Sequence, residues 1–155
     1  MAHGLPDYYR GVDIAYQALA RLMVRPTYGA AESVFDDIDV VGNEETELCS
    51  VSGKGMIYGG VLRVDPDFTQ ALCRPYLYID DQRIASTPFH FMNSFHYVKE
   101  HCHGIYLLKY DNITFTYVVA FSRGFTFESS FKVTYKELYG ESPTVSFRVN
   151  YALIE

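Results

Sequence analysis

Residues 125–136 read FTFESSFKVTYK, and the alternation in this stretch decides the fold class. Its aromatic and aliphatic residues fall on one side of an extended chain, and Thr, Glu, Ser and Lys fall on the other. Successive side chains of a β-strand point to opposite faces of the sheet. The stretch therefore predicts a half-buried strand with one wet face. The apolar side consists of Phe125, Phe127, Phe131, Val133 and Tyr135.

Two flanking stretches alternate in the same way and predict two more strands with one buried face. Between the alternating runs lie turn signals at Asp81-Gln82, Asp111-Asn112, Gly124 and Gly140. Asp111-Asn112 can supply the positive φ angles of a tight hairpin. The predicted inward residues are Ile113, Phe115, Tyr117, Val119 and Phe121 in one run, and Val145, Phe147, Val149, Tyr151 and Leu153 in the other.

Short strands separated by turns, with little helix between them, predict an all-β fold. About eight strands in two layers indicate an antiparallel β-sandwich of jelly-roll type, and a closed β-barrel is the alternative. Gly53, Gly55, Gly59 and Gly60 interrupt the second strand region and are typical of bulges or close backbone approach. The predicted strands are 46–52, 55–65, 76–80, 83–87, 105–110, 113–122, 125–136 and 144–153.

The N-terminal part differs from the β region. Residues 7–23 have apolar groups every three or four positions, which predicts an amphipathic helix that Asp7 begins and Pro26 stops. This helix either packs on its own domain or docks as an arm on a neighbouring subunit, because an amphipathic stripe does not identify its partner. The apolar stripe is Tyr8, Val12, Ala15, Leu19 and Leu22, and the candidate interface residues are Tyr8, Tyr9, Val12, Tyr16, Leu19 and Leu22.

The chain is thus divided into residues 1–45, a helix or arm followed by a loop, and residues 46–155, the β-sandwich domain. Residues 24–45 are interpreted as loop, with a short strand possible at 38–41. A chain of 155 residues is long enough to bury a core of its own.

Charge and composition exclude some classes of function. The formal net charge is −6, and no Lys/Arg cluster provides the basic footprint that nucleic acid or an anionic membrane requires. No apolar run approaches the length of a transmembrane helix. The chain contains 14 Tyr and 11 Phe but no Trp, and Tyr is favoured where one end of a side chain is buried and the other is wet, as at subunit interfaces.

The three cysteines, Cys49, Cys73 and Cys102, are odd in number and widely spaced. They do not form a disulfide framework, and buried free thiols are the simpler interpretation. The first residues lack a charged region followed by an apolar one, so no secretion signal is predicted. We therefore expect assembly in a reducing cytoplasm.

Sequence motifs for catalysis are missing. SGKG at 52–55 lacks the spacing and the following helix of a phosphate-binding loop. The chain has neither a G-x-S-x-G elbow nor an H-E-x-x-H motif. The prediction is a protein that is not an enzyme, with no catalytic residues and no cofactor.

The segment EHCHG at 100–104 is the one cluster that could bind a metal. If it is extended, His101 and His103 point to the same side and could chelate one ion. His90 or His96 could supply a third ligand, and Glu100 or water a fourth. The alternative is a loop or subunit contact, where His protonation near pH 6 could loosen an interface.

The second half of the chain resembles small β-sandwich virion proteins of tailed phages and archaeal viruses. The resemblance lies in VSGKGMIYGG (51–60), YIDDQRI (78–84), GFTFESSFKVTY (124–135) and TVSFRVNYAL (144–153). It covers roughly residues 46–153. The family type often has Asp-Gly in the hairpin where this chain has Asp81-Gln82, and it offers no catalytic residues to carry over.

This resemblance implies a structural subunit of a viral particle, a capsid, decoration or tail component that self-assembles and binds other virion proteins. The expected location is the virion, after assembly in the host cytoplasm. One alternative is a carbohydrate- or ligand-binding module, which exposed Tyr rings on a concave sheet would favour. A second is a cupin-like metal enzyme that uses the histidines of residues 90–103.

Overall fold

The computed structural model describes residues 28–65, 69–100 and 104–154. It contains ten strands and one short helix in these ranges. The elements are β1 (Glu32–Asp39), β2 (Glu45–Ser52), β3 (Gly55–Asp65), β4 (Arg74–Ile79), β5 (Gln82–Ser86), α1 (Phe89–Ser94), β6 (Ile105–Asp111), β7 (Thr116–Phe121), β8 (Phe125–Phe127), β9 (Ser130–Lys136) and β10 (Thr144–Leu153). The predicted helix at 7–23 lies outside the described residues.

The strands form two antiparallel sheets that face each other as a sandwich. The six-stranded sheet has the order β1-β10-β3-β7-β6, with β8 on β3, and the four-stranded sheet has the order β2-β9-β4-β5. The pairing is nested: β1 pairs with β10, β2 with β9, β3 with β7, and β4 with β5. The prediction of an antiparallel sandwich is confirmed, and the closed-barrel alternative is wrong because both sheets have end strands.

The alternating residues build the core as predicted. Val145, Phe147, Val149 and Tyr151 of β10 are buried and face the other sheet. The corresponding residues of β9 are also buried, so apolar side chains of the two sheets fill the space between them. Cys49 and Cys73 lie in this core as buried free thiols, as predicted.

The stretch 125–136 is two strands, not one. Phe125–Phe127 pairs with β3 in the six-stranded sheet, and Ser130–Lys136 lies between β2 and β4 in the four-stranded sheet. The chain crosses between the layers at Glu128 and Ser129. Sequence alternation could not reveal the crossing, because Phe127 and Phe131 are an even number of residues apart and both remain inward.

Asp80 fixes this crossing. Its carboxylate accepts the backbone N–H groups of Glu128 (3.0 Å), Ser129 (2.7 Å) and Ser130 (3.1 Å), and the Ser129 hydroxyl at 2.9 Å. These hydrogen bonds, that of Glu128 foremost, hold the pKa of Asp80 far below its usual range. Asp80 and Asp81 both have positive φ, so the β4–β5 turn is centred one residue before the predicted Asp81-Gln82.

Three other regions differ from expectation. Residues 32–39, interpreted as loop, form β1, whose Val34 and Ile38 pack against the core. Residues 89–94, which no predicted element covers, form α1, whose Phe89 stacks on Tyr117 with ring centroids 4.5 Å apart. Ile113, predicted inward, is 85% exposed because β7 begins only at Thr116. Asn112 lies in the turn, but the positive φ there belongs to Phe115.

Candidate interaction surface

The structure places two of the four predicted metal ligands. His90 lies in α1 and is exposed, with its ring Nδ1 3.1 Å from the Ala71 carbonyl oxygen. His96 follows the helix, also exposed, with φ of 54°. His101 and His103 lie outside the described residues. Within residues 28–65, 69–100 and 104–154, no group of three or more His, Cys, Asp or Glu could hold a metal ion. The histidine metal site stays a prediction.

Glu100, the possible fourth ligand, binds Arg123. Its Oε1 accepts the Arg123 backbone N–H at 2.6 Å, and its Oε2 lies 3.1 Å from the guanidinium Nη2. The backbone hydrogen bond, with the guanidinium, lowers the pKa of Glu100. This pair ties residue 100 to the loop after β7.

The predicted interface residues Tyr8, Tyr9, Val12, Tyr16, Leu19 and Leu22 all lie outside the described residues. What the structure offers instead is the pair of outer sheet faces against which such a segment could pack. The two faces differ in how far charged side chains cover their aromatic and aliphatic groups.

On the outer face of the four-stranded sheet, basic side chains of the same sheet cover the tyrosine rings. The Arg83 guanidinium lies 4.8 Å from the centroid of the Tyr76 ring, and the Lys132 ammonium lies 4.8 Å from that of Tyr78. The Tyr78 hydroxyl donates to Glu45 Oε1 at 2.7 Å. Burial and this acceptor raise the pKa of Tyr78. Cations cover the rings, so this face suits contact with water.

The outer face of the six-stranded sheet carries a row of mostly apolar side chains. Strand register aligns Phe35 of β1, Arg148 of β10, Val61 of β3, Ala120 of β7 and Tyr106 of β6 across five strands. Phe35 is 70% exposed and Val61 is 43% exposed. Arg148, itself exposed, lies between these two residues, and Ala120 is buried.

Two β-bulges shape this face into a groove. Tyr58 is the extra residue of β3 opposite Asn150 and Tyr151, and Leu108 is the extra residue of β6. Bulges re-aim side chains, and Leu108 is 51% exposed as a result. We call the depression of about 340 Å³ between them the outer groove. Its lining includes Tyr58, Val61, Tyr106, Leu108, Ala120 and Arg148.

Gly59 keeps the floor of the outer groove low. It has φ of +133°, a conformation that L side chains rarely adopt, and it pairs with Asn150 beside the Tyr58 bulge. The next residue, Gly60, allows close approach, because a Cβ there would lie 2.8 Å from the Arg148 carbonyl oxygen. Gly59 therefore permits the bulge and leaves space above the strand, as the sequence pattern indicates, whereas Gly60 permits close packing on the core side of β3.

The polar groups at the rim of the outer groove already have partners. The Arg148 guanidinium lies 6.0 Å from the Phe35 ring centroid and donates to Ser33 Oγ at 3.3 Å. Ser33 in turn donates to Asn150 Oδ1 at 2.6 Å. Arg123 is held by Glu100. The groove therefore combines the apolar side chains of Val61, Leu108 and Ala120 with the paired polar groups of Arg123, Arg148 and Asn150.

A second depression, of about 570 Å³, lies at the other end of the same face and is polar. Arg63 Nε lies 2.7 Å from an Asp65 oxygen, and the Thr116 hydroxyl donates to Asp65 at 3.0 Å. Asp111 accepts the backbone N–H of Ile113 at 2.9 Å. These groups satisfy one another, which makes this a weaker candidate for ligand binding.

Glu137 is a buried carboxylate that accepts backbone hydrogen bonds from two loops. Its Oε2 accepts the backbone N–H groups of Asn43 (2.9 Å), Gly140 (2.8 Å) and Glu141 (3.2 Å), and its Oε1 accepts that of Tyr139 (2.7 Å). Burial alone would raise the pKa of Glu137. The four backbone hydrogen bonds have the larger combined effect, so the pKa of Glu137 lies below its ordinary value. The group joins the β1–β2 and β9–β10 loops.

Sequence reasoning did not find the outer groove. Its lining residues come from four strands, and their alignment depends on register and on two bulges. The glycines at 59 and 60 were the available signal. The described part of the chain contains no helix long and apolar enough to cross a membrane.

The chain was also compared with known proteins. No family model and no curated protein matches the chain. Among solved structures, it is similar to a chain in the acidic stable capsid structure of Helicobacter pylori bacteriophage KHP30. The two chains are 12% identical, with a TM-score of 0.47 and coverage of 82% of this chain and 90% of that chain.

Proposed function

We propose that this protein is a non-enzymatic structural subunit of a viral particle, a capsid, decoration or tail component. It self-assembles through outer faces of its sandwich and through its N-terminal segment, in the host cytoplasm, and ends in the virion. The observation that carries the proposal is the apolar row on the outer face of the six-stranded sheet, with Phe35 and Val61 exposed.

The nested pairing of first strand with last supports the same proposal. It resembles the pairing of a jelly roll, an architecture that occurs in viral capsid domains, lectin domains and cupins. A cupin-like site needs His and carboxylate ligands inside the barrel or sandwich. The buried residues of the described part include no histidine, and apolar side chains fill the interior.

Native mass spectrometry and electron microscopy of the purified full chain test the proposal. We expect closed oligomers, tubes or particles at micromolar concentration, because removing the exposed apolar side chains from water lowers the free energy of the assembly. A strict monomer at high micromolar concentration, with no particles on the grid, would contradict the proposal.

A carbohydrate-binding module is the second candidate, favoured by Tyr58 and Tyr106 in the outer groove. A glycan array with the full chain and with Tyr58→Ala tests it. Binding that the substitution removes, from a protein that stays monomeric, would favour this candidate. The partners already held by Arg123, Arg148 and Asn150 leave few free polar groups to recognise sugar hydroxyls.

A further inference from the structure

We propose that two copies of this chain pack the outer faces of their six-stranded sheets against each other, about a two-fold axis that runs along β3. The inference rests on the proposed function, since it requires a self-assembling subunit, and it names the surface and the partner of one contact. Two sheets packed face to face with nearly aligned strands are a stable arrangement, the same one that builds the core of a β-sandwich.

Strand register defines two rows of side chains across this outer face. The first row consists of Phe35, Arg148, Val61, Ala120 and Tyr106. The second row is the next outward-facing set and consists of Asp37, Ser146, Arg63, Val118 and Lys109. Each row begins on the edge strand β1 and ends on the edge strand β6, with β3 in the middle. A two-fold rotation about β3 therefore places the β1 end of one copy over the β6 end of the other.

The two ends of the second row carry opposite charges. Asp37 on β1 and Lys109 on β6 are both exposed, and in the described part of the chain neither forms an ion pair. Four inter-strand steps separate their strands by about 19 Å, so the two side chains do not meet within one copy. In the two-fold pair the Asp37 carboxylate of each copy faces the Lys109 ammonium of the other, and the symmetry supplies this contact twice.

The first row brings apolar groups together in the same arrangement. Phe35 is 70% exposed, the most exposed aromatic side chain of the described residues, and it faces Tyr106 of the other copy. Val61 lies on the axis and faces its own equivalent. Arg148 faces Ala120, whose small side chain leaves room for the guanidinium. Aromatic pairs stabilise an association beyond the area that they bury, so this row adds to the charge contacts.

Like charges limit the contact at one end. Arg63 lies on the axis and faces its own equivalent, but each guanidinium is already paired with Asp65 of its own copy at 2.7 Å. The next outward residues of the two edge strands are Asp39 and Asp111, and these carboxylates would repel each other across the pair. We therefore expect the two sheets to be closest at Val61 and to diverge towards Asp111, which a two-fold axis inclined to the sheets allows.

Charge also selects the direction of the axis. A two-fold axis perpendicular to the strands would keep β1 of one copy over β1 of the other. The outward carboxylates of Asp37 and Asp39 from both copies would then lie together, and like charges opposed across an interface disfavour association. The axis along β3 avoids this and opposes acidic to basic groups instead.

The area of the face is sufficient for a specific contact. The face spans about 19 Å from β1 to β6, and the rows from Asn150 to Arg63 cover about 13 Å along the strands. With side chains the contact is roughly 500 Å² per copy, or about 1,000 Å² in total, which is the lower limit for a specific interface. We therefore expect dimers that form at micromolar rather than nanomolar concentration.

Charge exchange between two variants of the full chain tests the inference. Asp37→Lys and Lys109→Asp each place like charges at both contacts of a homodimer, so each variant alone should associate at least about tenfold more weakly than the wild type. In an equimolar mixture, one Asp37→Lys copy and one Lys109→Asp copy restore both opposite-charge contacts. We expect this mixture to dimerise with an affinity close to that of the wild type. Sedimentation velocity measures the affinities, and native mass spectrometry identifies the mixed dimer by its mass.

Glu47→Lys is the matched control. Glu47 is an exposed acidic residue on β2, an edge strand of the other sheet, so the substitution makes the same change of charge outside the proposed contact. This variant should associate as the wild type does. Both Asp37 and Lys109 are exposed residues of edge strands, so all three variants should fold, and thermal melts check this.

The outcomes separate this inference from the proposed function. A mixture that associates no better than the separate variants overturns the contact between Asp37 and Lys109. So do single variants that associate as the wild type does, or equal weakening by Glu47→Lys and Asp37→Lys. In each of these cases wild-type oligomers leave the proposed function standing. A wild-type chain that stays monomeric overturns both.

Discussion

The Glu137 carboxylate binds two loops through backbone donors, and we expect its replacement to be costly. Glu137→Gln should lower the free energy of unfolding by about 2–4 kcal/mol, because an amide cannot accept all the buried N–H groups that the carboxylate accepts. Urea denaturation measures the change. Glu141→Gln is the control, since its exposed side chain lies in the same loop. Equal losses for the two variants would contradict the role of Glu137.

The buried thiols provide a second prediction at this scale. Burial raises the pKa of Cys49 to about 12 and that of Cys73 to about 11. The thiolate is the reactive form, so both residues should resist alkylation in the native protein at neutral pH. Mass spectrometry after iodoacetamide treatment should show both unmodified until urea is added. Modification at the same rate with and without urea would contradict this burial.

At the scale of elements, the β8–β9 crossing depends on Asp80. Asp80→Asn should lower the melting temperature, because the neutral amide is a weaker acceptor for three backbone donors. Asp81→Asn is the matched control, since it lies in the same turn and Asn tolerates positive φ. Differential scanning calorimetry compares the two. A larger effect at Asp81 would show that the turn, rather than the crossing, carries the stability.

The strand β1 is a strand that alternation in the sequence does not predict. ESVFDDID has few apolar residues, and the two that pack on the core, Val34 and Ile38, are four positions apart. An edge strand with one sparse inner face has no clear period of two. Its formation depends on eight pairings with β10, which lie about one hundred residues away in the chain. Local propensity cannot predict such pairing.

At the scale of the whole molecule, stability should fall in acid. Folding lowers the pKa of Glu137 from its ordinary 4.5, so the stabilisation is present above that value and is lost as the pH falls towards the folded pKa. The difference in unfolding free energy between the wild type and Glu137→Gln should therefore shrink from neutral pH to about pH 3. Urea titrations at both pH values measure it. A constant difference would contradict the lowered pKa.

The fold class followed from sequence because strands with one wet face alternate visibly, and β10 and β9 do so over their full lengths. The bounds of β3 and β10 were predicted to the residue. The outer groove could not be predicted, since Arg148, Val61 and Tyr106 align only through register across four strands. The exact position of the β4–β5 turn could not be predicted either, because the backbone donors that bind Asp80 lie nearly fifty residues away in the chain.

The nested pairing also has a consequence for the order of events in synthesis. The Tyr151 hydroxyl reaches Glu32 across 119 residues, and such long loop closures make folding slow. β10 supplies one wall of the outer groove and follows the other nine described strands in the chain. Until β10 has been synthesised, a nascent chain therefore lacks this wall of the outer groove.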